Sequence, residues 1–103
     1  LVHPVLVTDK FTCPCCGHRT LSEQAAYEVC PVCLWEDDGV STTNPTQWGE
    51  GPNGISLAEA QARYRRDGRI TFDVPPNFVA RPPRTDEPLD PEWRPHSDGA
   101  SDA

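Results

Sequence analysis

Five cysteines carry most of the chemistry open to this chain of 103 residues. Three fall in "CPCC", at Cys13, Cys15 and Cys16, and two in "CPVC", at Cys30 and Cys33. Cys13-x-x-Cys16 and Cys30-x-x-Cys33 each put two thiols on one tight turn, where both can point at a single ion. Pro14 and Pro31 follow the first cysteine of each pair and preset φ for the turn. Gly17 follows Cys16, where such a knuckle often needs positive φ. Leu34 holds the matching place after Cys33, which predicts that the second turn closes differently. Two half-sites of this kind make a tetrahedral four-thiolate shell with no open position, the mark of a structural site. Zinc is the expected ion. Iron suits the same four ligands, and the spacing does not separate the two. A disulfide arrangement is disfavoured by the odd number of cysteines.

Cys15 is then surplus. Between two ligands on a turn its side chain should point away from the ion, as a spectator thiol or a register alternative (Cys13-x-Cys15), ahead of any redox role. His18 is a weaker substitute ligand than any of the four thiols. Directly after the last ligand comes "WEDDG", with Trp35 followed by Glu36, Asp37 and Asp38. Three carboxylates in a row read first as a solvated turn and second as a protein-contact patch around Trp35. A second cation site or an acid–base pair ranks third. No Ser-His-Asp set, phosphate-cradling loop or HExxH motif accompanies them.

The elements that must position these groups are short. "PVLVTDKFT" alternates and is β-branched, which predicts a strand over about Val5 to Thr12, with "HRTL" as its hairpin partner. "SEQAAYEV" is ambiguous between a helical turn and a strand. Residues 39–55, "GVSTTNPTQWGEGPNGI", read as a loop with Trp48 packed back over a small core. "SLAEAQARYRRDG" is the clearest helix, over 57–67. Ser56 and Glu59 form a capping box, Glu59 and Arg63 pair at i,i+4, and Gly68 is a left-handed C-terminal cap. Leu57, Ala60 and Tyr64 share its apolar face. "RITFDV", residues 69–74, reads as a last strand ended by Pro75 and Pro76. From residue 80 onward aliphatic side chains nearly vanish among prolines and acids. Such a segment buries too little to offset its ordering entropy, so it is expected to be disordered or extended, anchored at Leu89 or Trp93. The domain reading is therefore a zinc-binding unit over 1–79 and a Pro-rich, acidic, disordered tail over 80–103.

Composition bounds the function. Apolar residues are 36%, Pro is 12 in number and mean hydropathy is −0.61, so the core is thin and needs a staple. A net charge of −7 argues against an electrostatic grip on nucleic acid. Arg63, Arg65, Arg66 and Arg69 read as a solvated helix face, although they keep a nucleic-acid-binding zinc ribbon as an alternative. "LVHPVLVTDKF" lacks the basic start, long apolar run and cleavage site of a signal peptide, and no apolar run approaches a membrane span. The expected compartment is the cytoplasm, whose reducing conditions favour metal thiolates over disulfides.

Three motifs in order, "CPCCGHRTL", "YEVCPVCLWEDDG" and "NGISLAEAQARY", resemble the cysteine-rich CPCC domain family of small bacterial zinc-binding proteins. The resemblance covers residues 9 to 67, reaching 79 at most, and leaves the tail outside. It implies Cys13, Cys16, Cys30 and Cys33 as ligands and places Cys15 in the family's name motif. Trp35, Glu36, Asp37 and Asp38 match its acidic motif after the second knuckle, and Asn53, Gly54 and Leu57 its helix entry. The knuckles alone are similar to those of rubredoxins and zinc ribbons. The expected fold is thus small α+β, with zinc-ribbon or rubredoxin-like knuckles on a short antiparallel sheet, one helix over 57–67 and a disordered C-terminal tail. The expected function is a structural-zinc protein-binding module, an acidic immunity-type or regulatory partner that masks a basic protein such as a nuclease toxin. Its candidate contact residues are Trp35, Glu36, Asp37, Asp38 and Trp48. A metal- or carboxylate-dependent hydrolase is the rival reading.

Overall fold

A computed structural model describes residues 9–46, 52–71 and 78–96. In chain order it has β1 (Phe11–Thr12), β2 (Arg19–Leu21), α1 (Gly39–Thr43) and α2 (Leu57–Asp67). β1 and β2 pair antiparallel, Phe11 opposite Leu21 and Thr12 opposite Arg19, with an irregularity between the two. The expected hairpin around the first cysteine turn is therefore present, although its strand begins at Phe11. Residues 5–8 of the expected strand lie outside the described residues, as do Trp48 and residues 72–77. Ile70 of the expected last strand is buried, and its N–H donates to Cys33 O at 3.0 Å.

The second cysteine turn sits in a ladder of its own. Tyr27 N–H donates to Asp37 O at 2.9 Å, Asp37 N–H donates to Glu28 O at 3.0 Å, and Val29 bridges Glu36 antiparallel. "SEQAAYEV" is neither helix nor strand at its start. It bends through left-handed backbone at Ala25 (φ 55°) and Tyr27 (φ 63°). The loop expected from residue 39 opens as the single turn of α1.

α2 has the expected bounds because both of its ends are satisfied. Ser56 Oγ accepts from Glu59 N–H at 3.1 Å. Gly68 is left-handed at φ 79°, and its N–H donates to Tyr64 O at 2.8 Å. Leu57 and Ala60 face the core, and Arg63 Nε donates to Glu59 Oε2 at 3.1 Å on the outer side. One buried position is polar: Gln61 is 2% exposed.

Residues 80–96 take the extended, anchored form of the two expected for the tail. They hold an isolated bridge between Leu89 and His18 and make a series of hydrogen bonds to the cysteine turns. Those contacts carry this part of the segment into the packing of the cysteine-turn domain, across the boundary expected at residue 80. Backbone pairing to the turns supplies what aliphatic burial does not. The buried apolar set is Leu21, Val32, Leu34, Trp35, Ile55, Leu57, Ala60 and Ile70 together with all five cysteines. The core is built around sulfur. Among the described residues no helix is long and apolar enough to cross a membrane.

Candidate metal centre

The two cysteine turns are near copies. In the first, Cys13 N–H donates to His18 O at 2.9 Å and Gly17 N–H to Cys13 O at 2.8 Å. In the second, Cys30 N–H donates to Trp35 O and Leu34 N–H to Cys30 O, both at 2.8 Å. Gly17 has φ 83° and Leu34 has φ 74°. The expectation that Leu34 closes its turn differently is therefore corrected. Leu accepts the left-handed conformation, which costs an L-residue about 1–2 kcal/mol, because its side chain is buried and its N–H completes the same bond. At Gly17 no side chain is tolerated. A Cβ there would lie 2.5 Å from Trp93 Cε3 and 3.0 Å from Leu89 Cδ1.

These turns bring Cys13, Cys16, Cys30 and Cys33 together, with all four sulfurs within 4.8 Å of one another. Cys13 Sγ lies 3.6 Å from Cys33 Sγ, and Cys16 Sγ 3.8 Å from Cys30 Sγ. A tetrahedron with metal–sulfur bonds of ~2.3 Å has sulfur–sulfur edges of about 3.8 Å. The set fits one ion. The same separations are far too long for a disulfide, and all five cysteines are free thiols. None of the four ligands exceeds 3% exposure.

Without a cation the buried sulfurs favour one thiolate among thiols over several negative charges. Burial pushes the Cys13 and Cys33 thiols well up, while hydrogen bonds from the neighbouring thiols, Cys13 first, pull Cys30 down. A divalent ion held by Cys13, Cys16, Cys30 and Cys33 would offset the repulsion between thiolates, so its binding would be coupled to proton release. Cys30 has two further donors in place. Thr20 Oγ1 lies 3.0 Å from its sulfur, and Val32 N–H donates to it at 3.4 Å. Partners of this kind orient the ligand and disperse its charge. Thr20→Val keeps the volume and removes the donor, so metal affinity should fall about tenfold, as read by competition against a chelator of known affinity. Unchanged affinity would remove Thr20 from the site.

The remaining candidates fall elsewhere. Cys15 is not among the four ligands, yet it does not face solvent. It is 1% exposed, and burial raises its pKa, which keeps it a protonated thiol. His18 Nδ1 donates to Glu87 O at 2.9 Å and stays apart from the sulfur cluster. The acidic run corrects a larger expectation. Trp35 is fully buried, Asp37 is 4% exposed and Asp38 2%, so these three are interior residues and not a contact surface. Asp37 Oδ2 accepts from Ala25 N–H at 2.8 Å and thereby holds the left-handed bend before the second turn. Glu36, half-buried, uses its backbone. Its N–H donates to Asn53 Oδ1 and its carbonyl accepts from Asn53 Nδ2, both at 2.8 Å. The residues that sequence reasoning missed are Thr20, Gln61 and Glu87, ordinary polar residues whose role comes only from burial beside the turns.

The geometry defines a small metal-binding module in which four buried cysteines from two matched turns form the site. A profile of the family described as "Cysteine-rich CPCC" matches residues 11–87, most of the chain, and the chain belongs to that family. The match runs past residue 79, the furthest extent of the motif resemblance, and takes in Glu87. No curated protein matches the chain.

Proposed function

We propose that the ion is zinc, held as a structural staple, and that the chain is a protein-binding module of the bacterial cytoplasm. The observation that carries the structural role is the closed set of four buried sulfurs, two of whose edges, at 3.6 and 3.8 Å, suit a tetrahedral ion. Four protein thiolates fill a tetrahedral shell and leave no position for substrate or water. Zinc is favoured over iron because a fixed tetrahedral cage without redox work is the ordinary use of that ion.

Support for a partner comes from charge and from apolar side chains left in solvent. Net charge is −7, and Asp9, Glu23, Asp86 and Glu92 are exposed. Tyr27 is 61% exposed in the bend just before the second cysteine turn. A basic protein is the partner these features suit, and steering by opposite charge would speed its capture. The interior positions of Asp37 and Asp38 move the contact surface away from the acidic run and weaken the hydrolase reading, since Asp37 is occupied by the Ala25 N–H.

Elemental analysis of the purified chain should give one zinc per molecule. In the folded protein a thiol reagent should modify no cysteine rapidly, because even Cys15 is 1% exposed. All five should react after denaturation with a chelator. The same metal-loaded protein serves as bait, and a genuine basic partner should be lost both at high salt and with Tyr27→Asn, a residue that tolerates left-handed backbone. A protein free of metal, or one holding a covalent bridge between the turns, would overturn the structural reading. A partner insensitive to both changes would overturn the interface.

A further inference from the structure

The extended segment 81–96 touches both cysteine turns, the β1–β2 hairpin and α2. At its start Arg81 N–H donates to Pro31 O of the second turn at 3.2 Å. Further along, Arg19 N–H donates to Pro88 O at 3.0 Å, Asp90 N–H donates to Gly17 O at 2.8 Å, and Thr12 Oγ1 donates to Asp90 Oδ2 at 2.6 Å. At its end Trp93 Nε1 donates to Pro14 O at 2.9 Å, with the indole lying over Gly17. Gln61 ties this end to α2: its Nε2 donates to the same Pro14 O at 3.0 Å, and its Oε1 accepts from His96 N–H at 2.8 Å. The two prolines that follow the first ligand of each pair are thus both gripped by one strap. We propose that residues 81–96 form a latch that retains the metal, and that its opening sets the rate at which the ion is exchanged. This rests on the four-cysteine metal site described above.

The physical case follows from access. A competing ligand must reach the ion before a metal–sulfur bond can be replaced, and the four ligand cysteines are 0–3% exposed. The strap carries no helix and no strand longer than the single bridge at Leu89. Pro82, Pro83, Arg84, Thr85 and Asp86 are exposed, and Trp93 is only half-buried. Such a segment opens locally at far lower cost than the fold unravels as a whole. Lifting Trp93 from Gly17 uncovers the first turn while the second turn and α2 stay in place. Exchange then proceeds through an opened strap, and the strength of its anchors determines how often the ion is within reach.

The test uses the full chain loaded with zinc and an excess of a chromophoric chelator. Trp93→Ala should release the metal at least tenfold faster than the unmodified protein. His96→Pro removes the backbone donor to Gln61 and leaves Trp93 in place, so it should give a smaller gain of several-fold. Glu59→Ala, on the outer face of α2 away from the strap, should change the rate by less than twofold. If Trp93→Ala fails to fold, the ordering of His96→Pro above Glu59→Ala decides. Equal rates in all loaded proteins would overturn the latch and leave the metal site standing. Failure of the unmodified chain to hold metal would overturn both.

Discussion

Removing the metal should abolish the folded state and not merely loosen it. A chelated sample is expected to lose its cooperative thermal transition and the far-ultraviolet signal of Leu57–Asp67, and to regain both when zinc is returned. The reason lies in what the core contains. Among the described residues, its buried apolar set is five cysteines and eight others, of which one is alanine. Binding of a structural zinc contributes about 10–16 kcal/mol in finger-sized peptides, against about 5–15 kcal/mol for the whole stability of an ordinary domain. Without the ion, the chain must keep four sulfurs within 4.8 Å in a dry interior. Cys33→Ser should behave like chelation. Cys15→Ala is the contrast: it removes a buried thiol that is not a ligand, so metal stoichiometry should be unchanged and stability should fall by only about 1 kcal/mol. A chelated protein that still melts cooperatively near the original temperature would defeat this account.

The parts of this structure that could be read from the sequence are those governed by local rules. The four ligands follow from spacing on two turns, and α2 follows from caps whose chemistry lies within a few residues of each end. Ser56 and Gly68 do in the fold what their types predict. What escaped is set by contacts between distant segments. "WEDDG" reads as solvated because carboxylates usually are, yet the donor that brings Asp37 inside is the Ala25 N–H, freed by a left-handed bend at φ 55° that alanine does not announce. Leu34 shows the same limit. Its type argues against positive φ, but the burial of its side chain and the Leu34 N–H to Cys30 O bond stabilise that conformation. In the segment after residue 80, composition describes the absence of aliphatic burial correctly. It says nothing of backbone groups on two knuckles that need partners. Trp93 stood out there as the single aromatic. Glu87 did not, among so many acids.

Glu87 should be the most sensitive side chain outside the metal site. It is 1% exposed, with Arg81 Nη1 on Oε1 at 2.7 Å and Arg81 Nη2 on Oε2 at 2.8 Å. Arg84 N–H adds a third donor at 2.9 Å, and Lys10 Nζ lies 3.6 Å away. The Arg81 hydrogen bonds, opposed by burial and helped by Arg84, lower its pKa from 4.5 to about 2. A depressed folded-state value means the stabilisation is complete above the unfolded value near 4.5 and is lost as pH falls toward about 2. The shift corresponds to about 3 kcal/mol. Glu87→Ala at pH 7 should therefore cost about 3 kcal/mol in denaturant unfolding of the metal-loaded protein, since it removes the buried carboxylate that Arg81, Arg84 N–H and Lys10 all face. The gap between Glu87→Gln and the unmodified chain should stay constant from pH 8 to about 5 and narrow below about 4.5, for as long as the loaded protein stays folded. On an Arg81→Ala background the same Glu87→Ala change should cost much less, because the pair fails together. A loss under 1 kcal/mol, or equal losses in both backgrounds, would mean that the strap is held by its backbone bonds to the turns and not by this buried pair.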